Sequence, residues 1–199
     1  MSTPSRTVAA ILLSGGASTR MGRDKSQLIV QGLTLAVRTG ELLALVAETA
    51  IEVGPGVSGL PSILEPQRGE GPLVAVAAGC GALRELGHTG AALIVACDLP
   101  FLSEQLLRFI INWNSEESVV PVVRGKPQPL CAKWSLRDLQ SAQEFVNRGV
   151  RSLQHLSTQP GVVHLDELEW GPIVDERQFS DVDSPEDLLR LGLTNVLPN

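Results

Sequence analysis

A run of small residues near the N-terminus is followed by cationic side chains. The run begins at Leu13, the last residue of an apolar segment, and continues with the small residues Ser14, Gly15 and Gly16. Arg20 and Lys25 follow shortly after it. Backbone N–H groups of small residues can turn toward phosphate oxygens, and the two side chains would add positive charge. The pattern predicts a phosphate-binding loop, while composition alone equally allows a solvated glycine-rich turn.

This segment matches neither of the two common phosphate-binding sequence patterns. A Walker A loop needs lysine directly after glycine, whereas Arg23 and Asp24 separate Gly22 from Lys25. A dinucleotide-binding loop needs G-x-G-x-x-G, which residues 15–20 do not supply. The mismatch disfavours a P-loop NTPase and an NAD-linked dehydrogenase.

Acidic residues stand at two places where a cation could bind. Asp98 follows the uniformly apolar segment 91–96, and a magnesium site needs only one or two protein carboxylates beside phosphate oxygens and water. Asp98 is therefore the main candidate for a Mg²⁺ ligand, with Mn²⁺ as a possible substitute and a simple turn residue as the alternative. Asp181 and Asp183 alternate in an extended segment, so both could face the same cation, or they could serve as turn residues before a helix.

These candidates must be positioned by a series of predicted strands and helices. Apolar runs and alternation predict strands at 8–13, 51–53, 62–65, 91–96, 119–123, 130–134 and 162–165. Helical spacing predicts helices at about 33–46, from 72 onward, 104–113, 136–146, 150–156 and from 185 onward. Ser103 and Ser184 are predicted N-caps, and Pro72 and Pro185 are suited to first helical positions.

The alternation of strands and helices predicts an α/β fold. We expect three αβα layers with a mainly parallel, Rossmann-like sheet and helices on both faces. Ligands of such sheets bind beyond the carboxyl ends of the strands, which selects the loop after 8–13 and Asp98. The 199 residues fit a single domain, 1–199, with its core over about 7–194.

Composition and charge narrow the partners and the compartment. The net charge of −6 argues against a nucleic-acid or anionic-membrane surface. The chain has no apolar run approaching the ~20 residues that cross a bilayer. Its three cysteines are widely spaced, without a zinc or disulfide pattern, so we expect a cytoplasmic protein with neither nucleic-acid nor membrane partners.

Residues 13–25 carry a more specific signature than their composition. The string Leu-x-Gly-Gly-x-x-x-Arg-Met-Gly-x-Asp-Lys resembles that of nucleotidyltransferases with a glycosyltransferase-A-like fold, the fold of nucleotide-diphospho-sugar transferases. It most resembles the molybdenum-cofactor guanylyltransferases of the MobA family. Further matches follow in the same order at Glu70 to Leu73, Ala96 to Leu102, Gln128 to Ala132, Gly149 to Leu153 and Phe179 to Leu188.

The resemblance implies an activity and a role for each candidate residue. It implies Mg²⁺-dependent transfer of GMP from GTP to the molybdopterin cofactor with release of pyrophosphate. The implied catalytic residues are Arg20, Lys25 and Asp98. The implied nucleotide-binding residues are Leu13, Ser14, Gly15, Gly16, Lys25, Gly71 and Asp98. Asp98 would bind the metal, with Asp181 and Asp183 as further candidates, and transient contacts with other cofactor-biosynthesis or acceptor proteins are implied.

Two departures from the family pattern leave alternatives open. Asp181 and Asp183 stand where the family usually has asparagines, and Pro66 stands where it tends to have an aspartate near the base. A cytidylyltransferase for the same cofactor, or a transferase acting on another phosphorylated small molecule, would share the loop and Asp98. A nucleotide-binding regulator without catalysis is the second alternative.

Overall fold

The computed structural model describes residues 8–15, 25–65, 69–113 and 116–193. The strands are β1 (Ala9–Leu13), β2 (Ile29–Val30), β3 (Leu33–Thr34), β4 (Thr49–Val53), β5 (Ser62–Ile63), β6 (Ala92–Ala96), β7 (Val119–Val123), β8 (Lys126–Pro127), β9 (Cys131–Trp134) and β10 (Val163–Leu165). The helices are α1 (Leu35–Val46), α2 (Pro72–Glu85), α3 (Glu104–Asn112), α4 (Leu136–Asn147), α5 (Gln154–Ser157), α6 (Glu167–Trp170) and α7 (Pro185–Arg190).

The main sheet has the order β10-β7-β9-β6-β1-β4-β5, and β8 pairs with β7 at its side. The neighbouring strands β5, β4, β1 and β6 are mutually parallel. Leu13 lies level with Val53 on one side and with Ala96 on the other. The chain segments that follow β1, β4 and β6 therefore meet at one edge of the sheet.

Helices cover both faces of the sheet, which confirms the predicted three-layer arrangement. Ala10 and Leu12 of β1 pack with residues of α1 and α3. Ala9, Ile11 and Leu13 point the other way and pack with α2 and α4. β1 and β6 are buried along their whole length. Their uniformly apolar sequences are those expected of central strands in a parallel sheet.

Strand β9 runs antiparallel to both of its neighbours, β6 and β7. Lys133 lies in it with only 4% of its surface exposed. Its ammonium group donates to the carbonyl oxygens of Ile111 at 3.4 Å and Trp113 at 3.2 Å. The lysine that interrupts an apolar strand in the sequence therefore caps the C-terminal end of α3, where cations are favoured.

The helix predicted from residue 33 begins two residues later. Leu33 and Thr34 instead pair with Ile29 and Val30 in a two-stranded hairpin. The Thr34 side chain then accepts a hydrogen bond from the Val37 N–H at 3.2 Å, which makes Thr34 the N-cap of α1. The helix predicted at 150–156 is also shorter, since only Gln154–Ser157 is helical.

A third apolar cluster joins this hairpin to the C-terminal helix. Its buried members are Leu28, Val30, Leu35, Val182, Leu188 and Leu191. The N-cap predicted at Ser184 is present, as Ser184 accepts from the Asp187 N–H at 3.2 Å. Among the described residues, no helix has both the length and the apolar character to cross a membrane.

Candidate active site

A cavity of about 400 Å³ lies at the carboxyl ends of β1 and β6. The Ser14 N–H donates to the Val53 carbonyl at 3.2 Å, and the Cys97 N–H donates to the Leu13 carbonyl at 3.0 Å. The predicted site residues that line this cavity are Leu13, Ser14, Gly15, Lys25, Gly71 and Asp98. The predicted residues Gly16 and Arg20 lie outside the described residues, as does Pro66.

Lys25 and Asp98 lie at the centre of this site. The Lys25 Nζ atom is 3.8 Å from Asp98 Oδ2 and also forms a hydrogen-bonded ion pair with Asp183. The Val182 N–H donates to the Asp98 carbonyl at 3.0 Å, which fixes the segment with Asp181 and Asp183 against the turn after β6. Residues distant in the sequence are thereby assembled into one group of charges.

Burial and charge perturb the ionisation of this group. Burial raises the pKa of Asp98 to about 6, and the nearby charges of Asp181 and Asp183 act in the same direction against the opposing effect of Lys25. Burial also raises the pKa of Asp181, with a further contribution from Asp183. Burial opposes the charge on Lys25, but its hydrogen bond to Asp183 and the neighbouring carboxylates outweigh that effect and raise its pKa. The three carboxylates thus favour additional positive charge.

Asp183 is held by the first turn of α7. Asp187 Oδ2 accepts hydrogen bonds from the N–H groups of Asp183 at 3.0 Å and Ser184 at 2.9 Å. Hydrogen bonds from Arg190 and Ser184 lower the pKa of Asp187 to about 2, so it is ionised in its capping role. The helix cap therefore fixes the backbone that presents Asp183 to Lys25.

Glu52 is a buried support of the site that sequence reasoning missed. This carboxylate on β4 is fully buried and accepts a hydrogen bond from the Ser14 hydroxyl. It also accepts from the N–H groups of Gly56 at 2.9 Å, Val57 at 3.1 Å and Ser58 at 2.8 Å. Burial alone would raise the pKa of Glu52, but the hydrogen bonds, led by those of Ser14 and Ser58, lower it. An acid between Ile51 and Val53 in an apolar strand was the available sequence signal.

The Glu52 network changes the role expected of Ser14. Its hydroxyl donates to Glu52 and its N–H to Val53, so both of its donors are engaged within the protein. Gly54 packs directly on it, since a Cβ atom at Gly54 would overlap Ser14 Oγ and lie 2.8 Å from the Gly15 nitrogen. Contact between Ser14 and a nucleotide stays a prediction, and the structure gives Ser14 a part in fixing the loop.

Gly71 lines the cavity and has a backbone conformation that favours glycine. It has a φ of 103°, which favours glycine, and directly precedes α2. A Cβ atom there would lie 2.8 Å from the Arg151 carbonyl oxygen, which also accepts from the Leu73 N–H at 3.1 Å. Glycine therefore lets the start of α2 pack against the segment before α5.

The fold and this site together define a nucleotidyltransferase: a mostly parallel sheet with a small-residue loop, a lysine and an aspartate at the ends of its central strands. The MobA-like NTP transferase domain matches residues 10–161, and the chain belongs to that family.

Relatives and a solved structure agree with this assignment. A probable molybdenum cofactor guanylyltransferase of Nostoc sp. strain PCC 7120 is 31% identical over 171 residues, covering 76% of this chain and 79% of the relative. A protein of the same description from Bacillus cytotoxicus is 24% identical and covers 94% and 96% of the two chains. Molybdopterin-guanine dinucleotide biosynthesis protein A from Archaeoglobus fulgidus has a similar fold, with a TM-score of 0.76, 20% identity and coverage of 92% and 96%.

Proposed function

We propose that the protein transfers GMP from GTP to the phosphate of molybdopterin, releasing pyrophosphate and forming a guanine dinucleotide cofactor. The observation that carries the proposal is the convergence of Lys25 and Asp98 beside Gly15 in one cavity. The volume of about 400 Å³ lies within the range of small-molecule sites, roughly 300–1,000 Å³. The descriptions of the relatives supply the identities of the nucleotide and the acceptor.

The reaction needs positioning and charge more than a nucleophile from the protein. An oxygen of the acceptor phosphate attacks the α-phosphorus of GTP, a new P–O bond forms, and the bond to the bridging oxygen breaks in line with it. The electron pair leaves with pyrophosphate. In this proposal the Gly15 backbone and the Lys25 ammonium group would hold the leaving phosphates, which would stabilise the charge that develops on them.

Lys25 is suited to this role because it already binds anionic oxygens within the cavity. In the structure these oxygens belong to Asp183 and Asp98. Phosphate oxygens would replace a carboxylate as its partner, so the lysine stays paired before and after nucleotide binding. The raised pKa of Lys25 keeps the ammonium group charged at neutral pH.

The acidic residues fit a divalent cation of the Mg²⁺ type. Within the described part of the chain, no three histidine, cysteine or acidic side chains form a ready metal-binding cluster. Mg²⁺ does not require one, since one or two carboxylates suffice beside phosphate oxygens and water. Asp98, with Asp181 or Asp183, would hold the cation in an environment that favours added positive charge. When bound, Mg²⁺ or Mn²⁺ would neutralise phosphate charge.

The test is pyrophosphate release by the purified chain with Mg²⁺, each of the four nucleoside triphosphates, and molybdopterin present or omitted. We expect release with GTP that depends on molybdopterin and yields a guanine dinucleotide product. Release with CTP alone would overturn the guanylyl assignment in favour of a cytidylyltransferase. Nucleotide binding without pyrophosphate release would overturn the catalytic proposal in favour of a regulator.

A further inference from the structure

A cavity of about 210 Å³ lies between α2 and α4. We call it the α2–α4 cavity, and its lining comes from these two helices and from the segment 88–90. None of the described residues that line it also lines the cavity of Lys25 and Asp98. A ligand in the α2–α4 cavity would therefore occupy a site separate from the proposed nucleotide site.

Gly81 leaves space in the α2–α4 cavity. It lies inside α2, where glycine is less favourable than alanine by about 1 kcal/mol. Close packing explains the glycine at position 79, since a Cβ atom there would lie against Ile11 and Val53. A Cβ atom at Gly81 would have open space around it, so the packing of the fold does not require glycine at this position. The missing side chain instead keeps part of the cavity open.

The buried part of the α2–α4 cavity is apolar, and its exposed part is mostly polar. Apolar surface comes from the buried residues Ala77, Leu83 and Leu139. The exposed polar residues of the lining are Arg84, Thr89, Gln140 and Gln143. The volume lies below the roughly 300–1,000 Å³ of most ligand sites, so the cavity suits a ligand smaller than a nucleotide.

Arg84 gives this cavity a positive charge. In the part of the chain that the structure describes, no hydrogen bond or ion pair engages its guanidinium group. Its charge acts inside the cavity, because it opposes the effect of burial on the Cys80 thiol, whose pKa burial raises to about 12. The described lining includes no aspartate or glutamate that would compete for the guanidinium group. Arg84 is therefore available to an anionic ligand.

An apolar body and an anionic end match the two parts of the cavity. A guanidinium group binds carboxylate or phosphate oxygens through several N–H donors. We propose that the α2–α4 cavity binds a small molecule with an apolar body and one anionic group, a carboxylate or a phosphate ester, and that Arg84 pairs with this group. The inference goes beyond the proposed function and does not depend on it, since no residue of this cavity takes part in the proposed reaction.

The test titrates benzoate, phenyl phosphate and the neutral benzamide into the isotope-labelled full chain, followed by NMR. The backbone amides of Gly81 and Gly90 report on the α2–α4 cavity, and those of Gly15 and Gly71 report on the proposed nucleotide site. We expect saturable shifts at Gly81 and Gly90 with at least one anion, and the preferred anion distinguishes a carboxylate ligand from a phosphate ester. Equal binding of benzamide, no saturable shift with either anion, or shifts confined to Gly15 and Gly71 would overturn the proposal.

Removal of the positive charge tests the part assigned to Arg84. We expect Arg84→Gln to weaken binding of the preferred anion by about tenfold, as for the loss of a hydrogen bond to a charged group. Arg148→Gln makes the same change of charge at the exposed end of α4, outside the cavity, and should bind like the unmodified protein. Equal affinities of the two folded variants would overturn the proposal.

Gly81→Leu tests the cavity itself by placing a side chain in its open space. We expect this variant to fold, because leucine favours a helix and its Cβ atom meets no close neighbour. We also expect it to lose saturable binding of both anions. Thermal unfolding checks that the variant is folded, and unchanged affinity in folded Gly81→Leu would overturn the proposal.

Discussion

Glu52 supports the loop after β1 although it does not line the cavity itself. Its buried carboxylate connects Ser14, at the end of β1, with the N–H groups of residues 56–58, which follow β4. A buried carboxylate in such a position is stable only while these donors surround it. The geometry of this loop therefore depends on a residue that does not line the cavity.

Replacing Glu52 by glutamine should test this dependence. The glutamine amide would place an N–H₂ donor where a carboxylate oxygen now accepts from other donors. We therefore expect Glu52→Gln to lower the free energy of unfolding by about 1–3 kcal/mol. We also expect a higher KM for the nucleotide, because the loop loses its support. Urea denaturation and steady-state kinetics would measure both effects. Glu48→Gln, an exposed change directly before the same strand, is the control, and equal behaviour of the two variants would refute the role of Glu52.

The ionisation of Asp98 should be visible in the pH dependence of stability. Its pKa is raised from 3.8 to about 6 in the folded chain, so the folded state binds this proton more tightly than the unfolded state. Ionised Asp98 therefore costs stability: the cost is absent below about pH 4, grows up to about pH 6 and is complete above it. Asp98→Asn removes that cost.

Without divalent cations, we expect the stability gained by Asp98→Asn to be larger at about pH 7.5 than at about pH 4.5, by about 1–3 kcal/mol. Chemical denaturation in the presence of a chelator would measure it. A gain that does not vary with pH would show that burial does not raise the pKa of this carboxyl.

At the scale of elements, α2 approaches the sheet through a glycine. A Cβ atom at Gly79 would lie 2.9 Å from Ile11 Cδ1 and 3.0 Å from Val53 Cγ2. These side chains belong to β1 and β4, the strands that carry Ser14 at the end of β1 and Glu52. Gly81, in the same helix, has open space at the corresponding position.

The two glycines should respond in opposite directions to alanine. Gly81→Ala should raise the free energy of unfolding by up to about 1 kcal/mol through helix propensity. Gly79→Ala should lower it by about 1–2 kcal/mol, because the added methyl group overpacks the contact with β1 and β4. Thermal or urea unfolding of both variants compares them directly, and stabilisation by both would contradict the close packing.

The sequence predicts most elements because their patterns are local. The uniformly apolar segments identify β1 and β6, and the caps at Ser103 and Ser184 mark where α3 and α7 begin. The sequence does not predict features that depend on pairing between segments distant in the chain. The antiparallel direction of β9 depends on its pairing with β6 and β7, and the pairing of Leu33 and Thr34 in a hairpin takes two residues from the predicted helix.

At the scale of the whole molecule, the chain folds back so that its C-terminal part completes the site. The cluster of Leu28, Val30, Leu35, Val182, Leu188 and Leu191 packs α7 against the hairpin that follows Lys25. Asp183 is thereby brought to Lys25 across most of the sequence. The site thus needs both ends of the described chain in place.

This assembly explains which parts of the site the sequence could predict. Lys25 and Asp98 stand at recognisable points, after a small-residue loop and after an apolar strand. The ion pair between Lys25 and Asp183 and the support from Glu52 arise only when segments distant in sequence meet. No local pattern encodes them.

We propose above that Asp98 belongs to the machinery of a nucleotidyl transfer. Its most direct test is the rate of GMP transfer to molybdopterin by folded Asp98→Asn, beside the control Asp166→Asn at the N-cap of α6. We expect Asp98→Asn to reduce the rate by about 10²–10³-fold, as for the loss of a strong electrostatic contact in the transition state, and Asp166→Asn to leave it unchanged. An unchanged rate in folded Asp98→Asn would show that Asp98 takes no part in the transfer.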